Sequence, residues 1–408
     1  MNLQLSSNQT KLNTSISISG SKSESNRLLI LQQLVKGLQI ENTSDSDDSN
    51  HLQHALETSE NSIDIGHAGT AMRFLTAYFS TREGREVVLT GSERMQNRPI
   101  EVLVNALKDL GANITYEDKI GYPPIRIKGS LIEKKSVQIN GNVSSQYISA
   151  LLLIASSLPK GLEIELLGKI TSVPYINMTL KLLQELGIDA VFNQHLIVVK
   201  PFSNPTNKTI VVESDWSSAS YFYSIIAMSE IGSKITLSSY KKDSLQGDSC
   251  MTDIYTHFGV ETLFDHNSIT LVKTNETSKN SLQLDLKNAP DIAQTIAVTC
   301  FGLGVDCKLT GLHTLKIKET DRLVALENEL TKLGASISIT DESLTLEKSK
   351  KINHNIAIET YHDHRMAMAF APLALKVPIT ILDANVVTKS YRNFWNDMQN
   401  IGFQIVEE

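Results

Sequence analysis

Six short clusters built from Gly, Ser, Thr, His, Asp, Lys and Arg each open a helix-like apolar run: Ser21 to Arg27, His67 to Arg73, Ser144 to Gln146, Ser217 to Ser220, Pro290 to Gln294 and Asp363 to Met366. The first amide groups of a helix have no intrahelical partner, and the dipole leaves partial positive charge there, so side chains at such ends can bind anions. Three of the six clusters add Lys, Arg or His to that backbone field. Ser, Thr and Asp at a helix start are also ordinary N-caps, which is their commonest role; it is the recurrence at matched places that points to a shared anion site. Lys22 and Arg27 stand five residues apart with Ser23 beside the lysine, a spacing that suits two anionic groups. Gly20-Ser21-Lys22-Ser23 is not a nucleotide phosphate loop, which needs Gly and Lys adjacent and a further Gly five residues before that glycine.

The elements that carry these clusters repeat. Taking Thr70, Ser145, Ser218, Ile292 and Met366 as markers, the period is about 74 residues. In the last five copies a second helix closes on Gly111, Gly187, Gly259, Gly334 and Gly402, the place of a left-handed helix cap before a strand. Within one copy the pattern predicts helices over 70–79 and 99–110 and strands over 87–90, 114–116 and 125–127. The next predicts helices over 145–156 and 174–186, a strand over 162–167 and strand character over 190–199. The first copy is shorter, with a helix from about Lys22 to Lys36 stopping at Gly37, then a second over about 47–59. Helices alternating with β-branched segments make the chain α/β, and 408 residues are too many for one ordinary core. We expect two domains of three repeats each, 19–213 and 1–18 with 214–408, joined near Glu213 without a Pro/Ser-rich linker.

Composition narrows the function. With 41% hydrophobic and 20% charged residues the chain is a globular protein rather than a disordered one. The formal charge of −7 argues against a nucleic-acid partner, since phosphate backbones call for a basic excess. The longest apolar stretch, near Tyr147 to Leu158, is too short to cross a bilayer and suits a buried helix, so no membrane is expected. Cys250, Cys300 and Cys307 have no metal-type spacing and read as reduced thiols of a cytoplasmic protein, with Cys300 and Cys307 in the core. His362-Asp363-His364 lacks a third ligand group at recognisable spacing, so no metal is expected.

Six segments together resemble the signature segments of the EPSP synthase (3-phosphoshikimate 1-carboxyvinyltransferase) family of enolpyruvyl transferases. They are Gly20 to Arg27, Gly66 to Arg73, Leu89 to Ile100, Val143 to Gln146, Lys316 to Arg322 and Asp363 to Met368, in order along essentially the whole chain. The resemblance implies the two-domain enolpyruvyl transferase fold, six βαβαββ-type repeats with three per domain, and an active site in the interdomain cleft. It implies transfer of the enolpyruvyl group of phosphoenolpyruvate to the 5-hydroxyl of shikimate 3-phosphate by addition and elimination, in a monomer without a cofactor. Shikimate 3-phosphate is then expected on Lys22, Ser23, Arg27, Ser144, Ser145, Gln146, Ser172, Tyr175, Asp291, Thr314 and Lys318. Phosphoenolpyruvate is expected on Lys22, Gly69, Arg98, Gln146, Arg322, Arg365 and Lys389.

The charges agree with that carry-over, because each substrate brings one phosphate and one carboxylate to seven cations. Arginine's rigid fork fits either group two-pronged. Asp291 and Glu319, set among those cations, are the expected acid–base pair: Asp291 for the hydroxyl or the C3 proton, Glu319 for C3 protonation, with Lys22 and His364 assisting. Standing alone, Glu319 and Arg322 would read as an exposed helix ion pair, three residues apart. Asp215 and Gln246-Gly247-Asp248 match family segments expected to be structural or hinge-related. Three positions depart from the usual family residues: His67 for Asn, Phe74 for Pro and Thr314 for Asn. Gly69 keeps space beside phosphoenolpyruvate, which implies sensitivity to glyphosate. The related UDP-N-acetylglucosamine 1-carboxyvinyltransferases are disfavoured because the loop around Arg98 has no Cys. A non-catalytic anion binder is disfavoured by the two acids, which would only repel its ligands.

Overall fold

One sheet topology recurs along the chain. Glu86–Thr90 lies parallel to Ser62–Asp64 on one side and antiparallel to Ile125–Lys128 on the other, and Asn113–Tyr116 closes the edge as the second arm of a hairpin. Leu162–Leu167, Lys234–Ser238 and Asp306–Thr310 hold the same central place in three further sheets, each between a parallel neighbour and a hairpin. In the fifth sheet Ile379–Ile381 is parallel to Ile356–Ile358, and Leu3–Ser6 is inserted between Ile379–Ile381 and Gln404–Glu407. The first copy is reduced to Gln39–Glu41 paired in parallel with Thr209–Val211. The period read from the sequence is thus a period of sheets, and the chain is an α/β repeat protein.

These features come from a computed structural model that describes residues 1–408 apart from Thr10, Thr171, Ser172, Lys279, Asn280 and Lys350. The chain divides into two units, Gly20–Val212 on one hand and Met1–Ser19 with Glu213–Glu408 on the other. Among the described residues, each unit owns three of the sheets.

An apolar helix precedes the central strand of every copy: Lys22–Leu34, Gly69–Ser80, Ser145–Ala155, Trp216–Met228, Ala293–Leu303 and His364–Phe370. Trp216–Met228 is buried along its whole length, and Ser145–Ala155 is buried but for Gln146. A helix apolar on every side must be enclosed, and these helices pack on one another within each unit. Cys300 and Cys307 belong to the core, as expected. The second helix of each copy ends where the glycines foretold. Gly111, Gly187, Gly259, Gly334 and Gly402 all have positive φ, between +73° and +110°; at Gly111 this left-handed residue caps Glu101–Leu110, a conformation any Cβ would penalise.

Two local readings needed adjustment. The helix expected from Pro99 begins at Glu101, because a separate turn, Glu93–Gln96, precedes it, capped by the Ser92 hydroxyl accepting from the Met95 amide. The helix expected to reach Lys36 ends at Leu34. The segment 190–199 is a hairpin, Ala190–Asn193 against Leu196–Val199, because Gln194 takes left-handed backbone at its turn. Among the described residues, no helix is long and apolar enough to cross a membrane.

Candidate functional site

In the unit containing Glu213–Glu408, three cationic side chains converge on one carboxylate. Asp291 sits in the short 3-10 turn Pro290–Ile292 that leads into Ala293–Leu303. Its Oδ1 is 2.9 Å from Arg322 Nη1 and 3.3 Å from Lys318 Nζ, and its Oδ2 is 3.3 Å from Arg365 Nη2. Burial alone would raise this carboxyl, but Arg365, Lys318 and Arg322 outweigh it and hold Asp291 well below the usual carboxylate range. Arg365 Nη1 also donates to the Asp291 carbonyl at 3.2 Å, joining the start of His364–Phe370 to the start of Ala293–Leu303.

Arg322 divides its fork among three acids. Nε donates to Asp363 Oδ2 at 2.6 Å, Nη1 to Asp291 Oδ1 at 2.9 Å and Nη2 to Glu319 Oε2 at 2.6 Å. Its side chain is 2% exposed. Burial opposes the charge, yet Asp363, Glu319 and Asp291 raise this guanidinium above its ordinary value. Glu319 and Arg322 pair, but not as an exposed helical ion pair: Glu319 precedes the helix Arg322–Lys332 and Arg322 is buried. Glu319, with a third of its side chain exposed, is the acid of this cluster nearest to water.

Asp363 is a second junction. Wholly buried, it grips Arg322 and at the same time caps His364–Phe370, its Oδ1 accepting from the Arg365 amide at 2.8 Å. His364 Nδ1 lies 3.7 Å from the same oxygen, and His364 is 3% exposed. Lys389, at the end of a 3-10 turn, donates to the His362 carbonyl at 2.7 Å. Thr314 Oγ1 is buried without a hydrogen-bond partner. His362 points elsewhere, its Nδ1 3.0 Å from Asp383 Oδ2, so His362, Asp363 and His364 do not share one focus.

The unit Gly20–Val212 carries the other set. Lys22 opens Lys22–Leu34 and lies 3.6 Å from Asp48 Oδ1. Arg27, 3% exposed, donates to Thr179 Oγ1 at 2.8 Å, the Ser23 carbonyl at 2.6 Å, Ser149 Oγ at 3.0 Å and the Tyr175 carbonyl at 3.4 Å. Burial lowers its guanidinium to about 10, with Tyr175 and Glu24 opposing, so it remains charged at neutral pH. Phe74 places its ring 5.5 Å under Arg27, so the departure at Phe74 supplies a cation–π platform for a buried charge.

Gly69 and Arg98 meet closely: a Cβ on Gly69 would lie 2.5 Å from Arg98 Nη1. Arg73, four residues on, donates to the Gly69 carbonyl at 2.9 Å and to the Pro99 carbonyl at 3.2 Å, and the Tyr147 hydroxyl donates to the same Pro99 carbonyl at 2.7 Å. Burial and the neighbouring Arg98 both lower the Arg73 guanidinium. Gln146 Nε2 donates to Thr70 Oγ1 at 3.3 Å, tying the start of Ser145–Ala155 to that of Gly69–Ser80. Ser144 caps the former, its hydroxyl accepting from the Gln146 amide at 3.4 Å. His67 stands edge-on to His51, ring centres 6.4 Å apart.

The cap reading holds for some of the clusters and not for others. Ser144, Asp215 and Asp363 are caps, whereas Ser21 and Ala68 make no side-chain cap. Lys22, Ser23, Arg27, Gly69, Arg98, Ser144, Ser145, Gln146 and Tyr175 fall on one unit, and Asp291, Thr314, Lys318, Glu319, Arg322, His364, Arg365 and Lys389 on the other. Ser172 lies outside the described residues. Sequence reasoning did not anticipate what Asp48, Arg73, Tyr147 and Asp363 support; the one local signal was the four-residue step from Gly69 to Arg73. Gln246 is structural, its amide bridging the Trp216 amide and the Ser214 carbonyl. Asp248 interacts with Asp291 and Arg365. Buried and accepting from the Ser217 hydroxyl, its carboxyl is pushed up to about 6, by burial first and then by the charge of Asp291, against the pull of Arg365.

Comparison with known proteins gives a consistent set of likenesses. A model of the EPSP synthase (3-phosphoshikimate 1-carboxyvinyltransferase) family matches residues 51–398. A 3-phosphoshikimate 1-carboxyvinyltransferase of Bacteroides fragilis is 44% identical over 402 residues, covering 97% of each chain. One from Haemophilus influenzae is 35% identical over 425 residues, covering 95% of this chain and 96% of its own. A solved EPSP synthase from Acinetobacter baumannii superposes with a TM-score of 0.82 at 21% identity over the full length of both chains. The enolpyruvyl transferase NikO from Streptomyces tendae does so with a TM-score of 0.72 at 14% identity, over 99% of this chain and 98% of its own.

Proposed function

The chain belongs to the EPSP synthase family, and from that premise we propose how its side chains divide the transfer of an enolpyruvyl group from phosphoenolpyruvate to shikimate 3-phosphate. The reading is carried by Asp291, an acid held ionised by Lys318, Arg322 and Arg365. A carboxylate so surrounded is a weak base while its cations attend to it. Substrate phosphates and carboxylates compete for the same Lys and Arg groups, and as those groups turn to the ligands the basicity of Asp291 rises where a hydroxyl must lose its proton.

Lys22, Ser23, Arg27, Ser144, Ser145, Gln146, Ser172, Tyr175, Asp291, Thr314 and Lys318 hold shikimate 3-phosphate. Lys22, Gly69, Arg98, Gln146, Arg322, Arg365 and Lys389 hold phosphoenolpyruvate. The 5-hydroxyl oxygen adds to C2 of phosphoenolpyruvate while C3 takes a proton from Glu319, giving a tetrahedral adduct. Asp291 receives the hydroxyl proton. C3 then returns a proton, the C2–C3 double bond re-forms and the bond from C2 to phosphate oxygen breaks, releasing phosphate. Lys22 and His364 assist these proton movements. Electron deficiency at C2 is offset by the carboxylates, as electrostatic stabilisation requires.

We place this chemistry in the cytoplasm, a setting that suits three free cysteines, and in a monomer. The deciding experiment is phosphate release from phosphoenolpyruvate with shikimate 3-phosphate or UDP-N-acetylglucosamine as acceptor. Release with the first alone is expected. Release with the UDP-sugar, or with neither, would overturn the reading.

A further inference from the structure

Tyr361 and His362 both have left-handed backbone, φ +53° and +57°. Neither is glycine, and two consecutive ring-bearing residues in that region persist only where the surroundings over-determine them. They stand directly before Asp363, the junction between Arg322 and the amide of Arg365.

What holds them is a buried carboxylate outside the proposed binding groups. Glu329, on the helix Arg322–Lys332, is 0% exposed. Its Oε1 accepts from the Tyr361 hydroxyl at 2.7 Å, its Oε2 accepts from the Glu359 amide at 3.1 Å, and the Lys332 ammonium reaches both oxygens at 2.8 Å. Burial and the bond to Glu329 raise the Tyr361 phenol to about 12, so it remains a donor at any working pH. On the other side of the loop, the His362 carbonyl accepts from Lys389 Nζ at 2.7 Å. A connected path thus runs from Glu329 through the loop backbone to Lys389 and to Arg365.

We propose that Glu329 and Tyr361 are positioning residues for phosphoenolpyruvate: the bond between them holds the left-handed pair in place and thereby sets where Lys389 and Arg365 present their charges. Neither touches substrate. The inference rests on the preceding assignment of Lys389 and Arg365 to phosphoenolpyruvate. It predicts a selective defect, because the loop leads directly to those two cations, whereas most groups assigned to shikimate 3-phosphate lie on the unit Gly20–Val212 and Asp291, which is held by Arg322 and Lys318 as well, is reached only through Arg365.

The test is steady-state kinetics of Tyr361→Phe, which removes the hydroxyl and keeps the ring. The KM for phosphoenolpyruvate should rise about tenfold, with the KM for shikimate 3-phosphate within about twofold of wild type and an unchanged melting temperature. Adding His362→Gly, which adopts left-handed backbone without steric cost, should recover part of the lost affinity. Should Tyr361→Phe fail to fold, Glu329→Gln supplies the same comparison, since its amide can accept only one of the two loop donors. A phosphoenolpyruvate KM within twofold of wild type, a parallel rise in both KM values, or no recovery with His362→Gly would overturn the proposal. A wild-type enzyme that does not turn over the two substrates would overturn the assignment on which it rests, and the proposal with it.

Discussion

Asp363 and Arg322 lie 2.6 Å apart, Oδ2 to Nε, with side chains 0% and 2% exposed, and this one pair fastens the first residue of Arg322–Lys332 to the N-cap of His364–Phe370. Removing one member of such a pair strands the other without water. Asp363→Ala should therefore destabilise the unit by about 3–5 kcal/mol, including the lost cap. Denaturant unfolding monitored at the two tryptophans would read this; a loss below about 1 kcal/mol would mean that Asp291 and Glu319 suffice to compensate Arg322.

Arg322 also separates charge from shape. Its three nitrogens reach three different carboxylates, which a lysine ammonium at the end of a flexible stem cannot reproduce. Arg322→Lys should lower kcat/KM by about a hundredfold, equivalent to about 2.7 kcal/mol of transition-state stabilisation. Near-wild-type turnover would show that only the positive charge matters there.

Asp248 gives the stability a pH dependence of known sign. With its carboxyl raised from 3.8 to about 6 by burial and by Asp291, the folded chain holds that proton more tightly than the unfolded chain. The contribution is complete below pH 3.8 and is lost as pH rises through 6. Asp248→Asn, which cannot ionise, should gain on wild type by up to about 3 kcal/mol above pH 6 and lose that advantage near pH 4. Urea unfolding at several pH values checks this, and a gap that does not change with pH would refute it.

Gly69 tests the packing around Arg98. An added methyl would fall 2.5 Å from Arg98 Nη1 and 3.1 Å from Arg73 Nη1, so Gly69→Ala must displace a guanidinium. The KM for phosphoenolpyruvate should rise about tenfold or more, roughly the strength of one charge-assisted hydrogen bond, while that for shikimate 3-phosphate stays near wild type. Glyphosate should inhibit the parent enzyme competitively with phosphoenolpyruvate and the variant more weakly. Equal potency on both would count against the predicted crowding.

The repeat was legible because its signals are local. An apolar run enclosed on all sides and a glycine forced to positive φ leave their marks in a few adjacent letters, and Gly111 and Gly402 could be placed from spacing alone. Leu3–Ser6 could not be assigned a partner that way, since its neighbours are drawn from the far end of the chain. The site divided likewise. The motifs around Lys22, Arg98 and Arg365 announce charge, but nothing adjacent in sequence tells that Arg73 braces Pro99 or that Phe74 underlies Arg27. Those contacts join separate elements. Asp248 was underestimated for the same reason: its perturbation arises from Asp291 and Arg365, which only the fold brings near.

The insertion of Leu3–Ser6 between Ile379–Ile381 and Gln404–Glu407 also governs how the molecule is made. Ser6 bonds to a residue 398 positions downstream, so a strand that leaves the ribosome early waits for companions translated much later. Meanwhile Gly20–Val212 forms an uninterrupted stretch that can complete its sheets during synthesis. Throughout that interval the waiting strand offers unsatisfied edges to any passing chain, making it the segment where a chaperone, or its absence, would be felt first.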